Sequence, residues 1–192
     1  MSTLEQAGPK WRRRERRRLT AARLALSEPA RREASAAIEA ALVRRLPPGS
    51  LSPVAAYWPI RNEFDPRPYL LRVIAVGGIA ALPVVATPNA PLIFRRWTPD
   101  APMAAGVWDI QHPAEGPELT PAVLLIPLVG FDTAGHRLGH GGGYYDRTLA
   151  ALSPRPLTIG VGFELGRLAT ITPEPHDCPM DIIVTEAGVF EQ

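Results

Sequence analysis

The sequence predicts an α/β protein of three layers, a largely parallel sheet flanked by helices, with an N-terminal helical arm. Three observations predict it. Short apolar runs alternate with stretches of helical periodicity, the order expected of β-α units. One run, residues 123–129, is broken only by Pro127, as suits a strand buried on both faces of a parallel sheet. Residues 10–26 hold no helix breaker and are rich in Arg, Leu and Ala, which favours a leading helix. A chain of 192 residues is enough for one domain with an ordinary core, and a single domain is expected over residues 1–192.

The elements follow in order. After the first helix, Ser27 is an expected N-cap, with Glu28 and Pro29 in the next first turn. Ala34, Ile38, Ala41 and Leu42 then form one apolar helical face, and Pro47-Pro48-Gly49 ends the helix. Residues 54–58 read as a short strand. Asp65 and Pro66 open a helix with Leu70, Leu71 and Ile74 on its apolar side, stopped by Gly77-Gly78. Residues 79–85 and 92–94 are further apolar runs. Residues 98–121 read as a long surface excursion, with Trp97 and Trp108 expected in the core. Beyond the 123–129 strand come a short helix over 144–152 and strands over 157–163 and 182–184.

Composition excludes several classes. With 46% apolar and 21% charged residues, the chain has the balance of a globular protein. One cysteine, Cys178, rules out a disulfide framework and fits a reducing cytoplasm. No apolar run approaches a membrane span, and no signal-peptide core follows Met1. The 22 prolines sit almost all singly at segment edges, which implies many short loops. The net charge of +2 conceals an asymmetry. Residues 10–18 hold seven basic groups and one acid, whereas the remainder, with 14 basic and 18 acidic residues, is net −4. The high pI is therefore local, and nucleic acid is not the expected partner of the whole surface.

Chemistry concentrates after the 123–129 strand. A turn, Asp132-Thr133-Ala134-Gly135, leads to Arg137, then to Gly139, Gly141, Gly142 and Gly143, then to the helix-like Tyr144-Tyr145-Asp146. A strand, a glycine loop and a helix N-terminus form a phosphate site: bare N–H groups meet the anion and no Cβ blocks it. There is no Walker A ending, and the glycine spacing is wrong for a dinucleotide fingerprint. A plain flexible turn is the competing reading. An arginine, a nest of amides and a carboxylate together suit a nucleotide phosphate with its Mg²⁺. Trp58 and Glu63 fall beyond the carboxyl end of the first strand, where α/β sheets bind ligands. There an aromatic can stack on a flat ring and a carboxylate can bind an aminopyrimidinone edge. Considered alone, Glu63 reads more readily as a surface or capping carboxylate.

The string FDTAGHRLGHGGGYYDR resembles the signature of the 5-formyltetrahydrofolate cyclo-ligase (5,10-methenyltetrahydrofolate synthetase) family. The resemblance implies cyclisation of 5-formyltetrahydrofolate to 5,10-methenyltetrahydrofolate by ATP and Mg²⁺, through a phosphorylated formyl group, with release of ADP and phosphate. It implies nucleotide contacts from Arg137, Leu138, Gly139, His140, Gly141, Gly142, Gly143, Tyr144 and Tyr145, and catalytic roles for Arg137 and Tyr144. Trp58, Glu63 and Tyr144 would bind the folate, and Asp146 and Asp177 would hold Mg²⁺. Some relatives place a basic residue where Gly142 stands. His176 and Cys178 flank Asp177, but their spacing gives neither a zinc site nor a nucleophile pair. A monomeric cytoplasmic enzyme of small molecules is expected, the alternative being a nucleotide-binding paralogue without cyclo-ligase activity.

For the basic cluster three readings stay open: a solvated helix face, an arm delivering phosphate contacts, or a nucleic-acid or presequence element. Glu5, Glu15 and Glu28 argue against a presequence. The family's Lys-x-x-x-Arg element near the N-terminus contacts ATP, and Lys10 and Arg14 match that spacing, among arginines that allow other registers.

Overall fold

The computed structural model describes residues 8–192, so Glu5 and the rest of residues 1–7 lie outside it. Helix α1 spans Pro9–Leu24 and α2 spans Glu28–Arg45, the latter capped by Ser27, whose Oγ accepts from Ala30 N–H. Next come β1 (Val54–Ala55), α3 (Arg67–Ala75), β2 (Ala80–Val84) and β3 (Ile93–Trp97). A small hairpin, β4 (Met103–Ala105) and β5 (Gln111–Pro113), follows. The central strand β6 (Val123–Pro127) leads into a second hairpin, β7 (Gly130–Phe131) and β8 (Arg137–Leu138). The chain closes with α4 (Tyr144–Ala151), β9 (Leu157–Val161), β10 (Ile182–Thr185) and β11 (Gly188–Glu191).

Seven strands form one sheet in the order β11-β10-β9-β6-β1-β2-β3, parallel throughout except at the two edges, β3 and β11. Strand alternation separates two apolar faces. On one, Val54, Leu82, Leu125, Ile159 and Val184 pack against Ile38 and Leu42 of α2 and Tyr69, Leu70 and Val73 of α3. On the other, Ala55, Leu124, Ile126 and Ile183 pack with Leu149 of α4 and Phe131. This is the three-layer, largely parallel arrangement the sequence predicts. Helix α1 does not join either layer. Its Leu19 packs with Val129, Leu138 and Ile171 beside the carboxyl end of β6.

Several local expectations are corrected. The 54–58 strand shrinks to two ladder residues, because Tyr57 to Glu63 leave the sheet to build a loop. Leu71 is 42% exposed, since α3 is only nine residues long and its buried stripe falls on Tyr69, Leu70 and Val73. The 98–121 excursion contains the β4–β5 hairpin, and its tip lifts Trp108 to 61% exposure instead of burying it. Trp97 is buried as expected. Strand β11, mixed in polarity and next to a terminal Glu-Gln, has no apolar run to announce it.

Candidate functional site

A cavity of about 400 Å³ opens at the carboxyl end of the parallel strands. Four segments converge on it: α1, the loop after β1, the β4–β5 hairpin, and the glycine loop leading into α4. A fifth, the Glu174–Asp177 stretch before β10, closes one side. Trp58, Glu63, Arg137, residues 139–143, Tyr144, Tyr145, Asp146 and Asp177 all line this one space.

The glycine loop is open as the sequence requires. Gly141 and Gly143 have φ of +98° and +65°, which side chains with a Cβ rarely adopt. A Cβ on Gly141 would also press on the Arg16 guanidinium at 3.3 Å. None of the N–H groups of residues 139–143 donates to a protein acceptor among the described residues. Five such amides in a row at the start of a helix form an anion-binding concavity. Arg147 donates to Gly142 O at 2.6 Å and lies 5.0 Å over the Tyr144 ring, fixing the loop's end. Tyr144 meets exposed Trp108 edge-on at 6.4 Å, so hairpin and loop share one aromatic rim.

Arg137, which follows the 132–135 turn, lies on β8 and is only 7% exposed. Strand alternation then turns Leu138 away from the cavity and into the Leu19 cluster, fully buried. Leu138 is therefore a packing residue, not a lining one. Arg137 Nη2 donates to Asp146 Oδ1 at 2.8 Å and Nη1 to Cys178 O at 3.1 Å. The Cys178 N–H donates to the same Asp146 oxygen at 3.3 Å, so the 177–178 segment is tied to α4.

The α1 register sets the basic residues of the arm apart. Lys10 and Arg14 are exposed and do not line the cavity. Arg12 and Arg16 do, at the same i, i+4 spacing, because Leu19 one turn later must face inward and sets the buried face. Arg12 donates to Asp177 Oδ2 at 2.5 Å and to Thr172 O at 2.9 Å. Arg16 Nε donates to Gly139 O at 2.7 Å. Burial and the neighbouring charge of Arg12 lower the Arg16 pKa, against the pull of Asp177 and Glu174. Burial alone would raise the Asp177 pKa. Hydrogen bonds from Arg12 and the Glu174 N–H, with the charge of Arg12, outweigh it and hold the carboxyl below the usual range.

Across the cavity, Glu63 is 7% exposed. Oε2 accepts from Ile60 N–H at 3.0 Å and Oε1 from His140 Nε2–H at 2.7 Å. An ionised Glu63 only accepts, so this contact requires a proton on His140 Nε2. Glu63 therefore bridges the loop after β1 and the glycine loop, a link that the sequence, in which His140 has no distinguishing neighbour, does not announce. Tyr57 and Tyr145 lie beside it. Burial, reinforced by the charge of Glu63, pushes both phenols well up, so both remain neutral donors. Trp58 has Arg67 stacked on one face at 4.4 Å.

Among the described residues no group of three or more His, Cys, Asp or Glu could hold a metal alone. No helix there is long and apolar enough to cross a membrane.

Residues 9–186 match the model of the 5-formyltetrahydrofolate cyclo-ligase family. The Escherichia coli K12 5-formyltetrahydrofolate cyclo-ligase is 30% identical over 145 residues, covering 72% of this chain and 80% of that protein. The Haemophilus influenzae protein of the same name is 36% identical over 102 residues, though the match spans only 54% of its length. Among solved structures, the Aquifex aeolicus 5,10-methenyltetrahydrofolate synthetase superposes with a TM-score of 0.81 at 30% identity, covering 94% of this chain and 92% of that one. The Mycoplasma pneumoniae synthetase gives 0.75 at 26%, covering 91% and 98%.

Proposed function

The chain belongs to the 5-formyltetrahydrofolate cyclo-ligase family, and from that premise we propose that it cyclises 5-formyltetrahydrofolate to 5,10-methenyltetrahydrofolate at the expense of ATP. The observation that carries the reading is the row of amides at residues 139–143, unpaired among the described residues, in the same cavity as Arg12, Arg16, Arg137 and Glu63. Three guanidiniums and free amides suit a triphosphate, and a buried carboxylate beside aromatic rings suits a pterin.

The oxygen of an N-formyl group is a poor leaving group from its carbon. Its attack on the γ-phosphorus, with ADP leaving, gives an iminium phosphate. The second folate nitrogen then adds to that carbon, loses its proton, and phosphate departs with the C–O electron pair. The protein's part is to hold the two substrates in line and to offset charge on the transferred group. In this reading Arg137, Arg12, Arg16 and the loop amides bind phosphates. Glu63 and Trp58 bind the pterin, and Tyr144 stands between the two substrates.

Magnesium fits the donor set in one mode. Mg²⁺ is commonly held by one or two carboxylates, water and substrate phosphates. Asp146 and Asp177 both line the cavity and are tied together through Cys178. Each is paired with an arginine, so phosphate oxygens would have to complete the coordination. Bound there, Mg²⁺ would neutralise charge on the phosphates of ATP.

The test is the ultraviolet absorbance of the methenyl product from 5-formyltetrahydrofolate, with ATP or Mg²⁺ present or omitted. Product only in the complete mixture is expected. ATP binding without product would instead identify a nucleotide-binding paralogue.

A further inference from the structure

Arg23 stands in the last turn of α1, is 3% exposed, and does not line the cavity. Its contacts nonetheless converge on the folate side of the site. Nε donates to Arg61 O at 3.0 Å, Nη1 donates to Leu128 O at 3.3 Å, and Nη2 lies 3.7 Å from Glu63 Oε1. Nη2 makes no hydrogen bond within the described residues. A buried guanidinium nitrogen without a hydrogen bond is costly, and its surroundings must compensate that cost through the Glu63 charge.

The loop it touches is itself under strain. Arg61 and Asn62 have φ of +49° and +57°, two successive left-handed residues that are not glycine. Such conformations persist only where neighbours hold them. Arg23 binds the carbonyl of the first of the two, two residues before Glu63. On its other side Glu63 is met by His140 and by the Ile60 amide. Arg23 therefore constrains both the backbone that presents Glu63 and the carboxylate itself. It does so from the helix that brings Arg12 and Arg16 to the cavity.

We propose that Arg23 is a positioning residue for the folate substrate: it acts through Glu63, holding its loop and carboxylate in place, and touches neither substrate. This rests on the folate role given to Glu63 above. Burial lowers the Arg23 pKa and the charge of Glu63 works against that, as expected of a cation kept for its partner.

The test uses the full chain as wild type, Arg23→Met, Arg23→Lys, Glu63→Gln and the Arg23→Met, Glu63→Gln double variant. Initial rates give kcat and KM for each substrate, and calorimetry gives 5-formyltetrahydrofolate binding without ATP. Arg23→Met should raise the folate KM and Kd about tenfold or more, with the ATP KM within about twofold of wild type. Arg23→Lys should recover part of the loss. In the Glu63→Gln background, Arg23→Met should add little, because the partner is already gone. Equal losses for ATP and folate, or full additivity in the double variant, overturns the proposal. Should Arg23→Met fail to fold, the folate-to-ATP split is read from Arg23→Lys, and an even loss there overturns it equally. A wild-type chain that binds folate but forms no product removes the cyclo-ligase reading alone, and the binding arms still decide Arg23. A wild-type chain that does not bind folate overturns both.

Discussion

Arg137 and Asp146 form a hydrogen-bonded ion pair, 2.8 Å from Nη2 to Oδ1, between a buried strand residue and the first turn of α4. The pair closes over Cys178, whose carbonyl accepts from the arginine and whose N–H donates to the aspartate. One guanidinium thus orders the glycine loop's two flanks and the segment bearing Asp177.

Arg137→Ala should therefore do two things. A charge-assisted contact to phosphate is worth roughly 1.5–3 kcal/mol, so ATP affinity and turnover should fall by one to two decades. Because the side chain is buried and leaves Asp146 without its cation, stability should drop as well, by about 1–3 kcal/mol. Urea unfolding and ATP titration read the two effects separately. Unchanged ATP kinetics in a destabilised variant would make Arg137 structural only.

Glu63→Gln keeps the shape of the side chain and its acceptor toward Ile60, but removes the charge facing Arg23 and His140. Folate binding should weaken by about tenfold to a hundredfold, the scale of one charge-assisted hydrogen bond. The ATP KM should hold near wild type. Parallel loss of both substrates would move Glu63 from the pterin to the phosphates.

How far the sequence reaches is visible in these residues. The sheet and its helices were legible because apolar periodicity and turn residues record burial directly, as in residues 123–127 and the Ile38-Leu42 face. The glycine loop was legible because positive φ admits few other residues. The strand position of Arg137 is not legible, because a two-residue strand has too short a pattern to read. Lys10 and Arg14 match the Lys-x-x-x-Arg element because Lys10 supplies its lysine, although the spacing alone also fits Arg12 and Arg16. Leu19, the apolar residue continuing the inward face, is the signal that separates them. The His140–Glu63 contact joins residues 77 positions apart, and nothing local marks it.

Acid should expose the Arg12–Asp177 pair. The Asp177 carboxyl is held below its ordinary range in the folded chain, by hydrogen bonds and the charge of Arg12 against the opposing effect of burial. The unfolded carboxyl titrates near its reference value of about 3.9, so the unfolded chain binds the proton more readily. The stabilisation is complete above that value and is lost as pH falls through the lower folded value. Wild type should lose stability over this acid range, whereas Asp177→Asn should start less stable at pH 7 and respond less. Converging unfolding midpoints in acid are the expected result. Parallel curves at all pH values would show that the pair contributes no proton-linked stability.

The last prediction separates the two basic faces of α1. Arg12 and Arg16 line the cavity, and Arg16 holds the Gly139 carbonyl at the start of the amide row. Lys10 and Arg14 are exposed, and among the described residues Arg14 has only Glu15 as an ionic neighbour, at 3.6 Å. Partly desolvated cations interact with a triphosphate through a lower effective dielectric than solvated ones do, so the inner pair should dominate. Arg12→Ala with Arg16→Ala should weaken ATP binding by a decade or more, on the scale of about 1.5–3 kcal/mol for each charged hydrogen bond. Stability should also fall, because Asp177 loses the partner that pulls its pKa down. Lys10→Ala with Arg14→Ala should leave ATP affinity near wild type and stability within about 0.5 kcal/mol, as for other surface changes. Raising salt should erode any residual effect of the outer pair first, since exposed charges are screened more than buried ones. If the outer pair proves the costlier to remove, the inward arginines serve only to tie α1 to Gly139 and Asp177, and the phosphate contacts come from the solvated face.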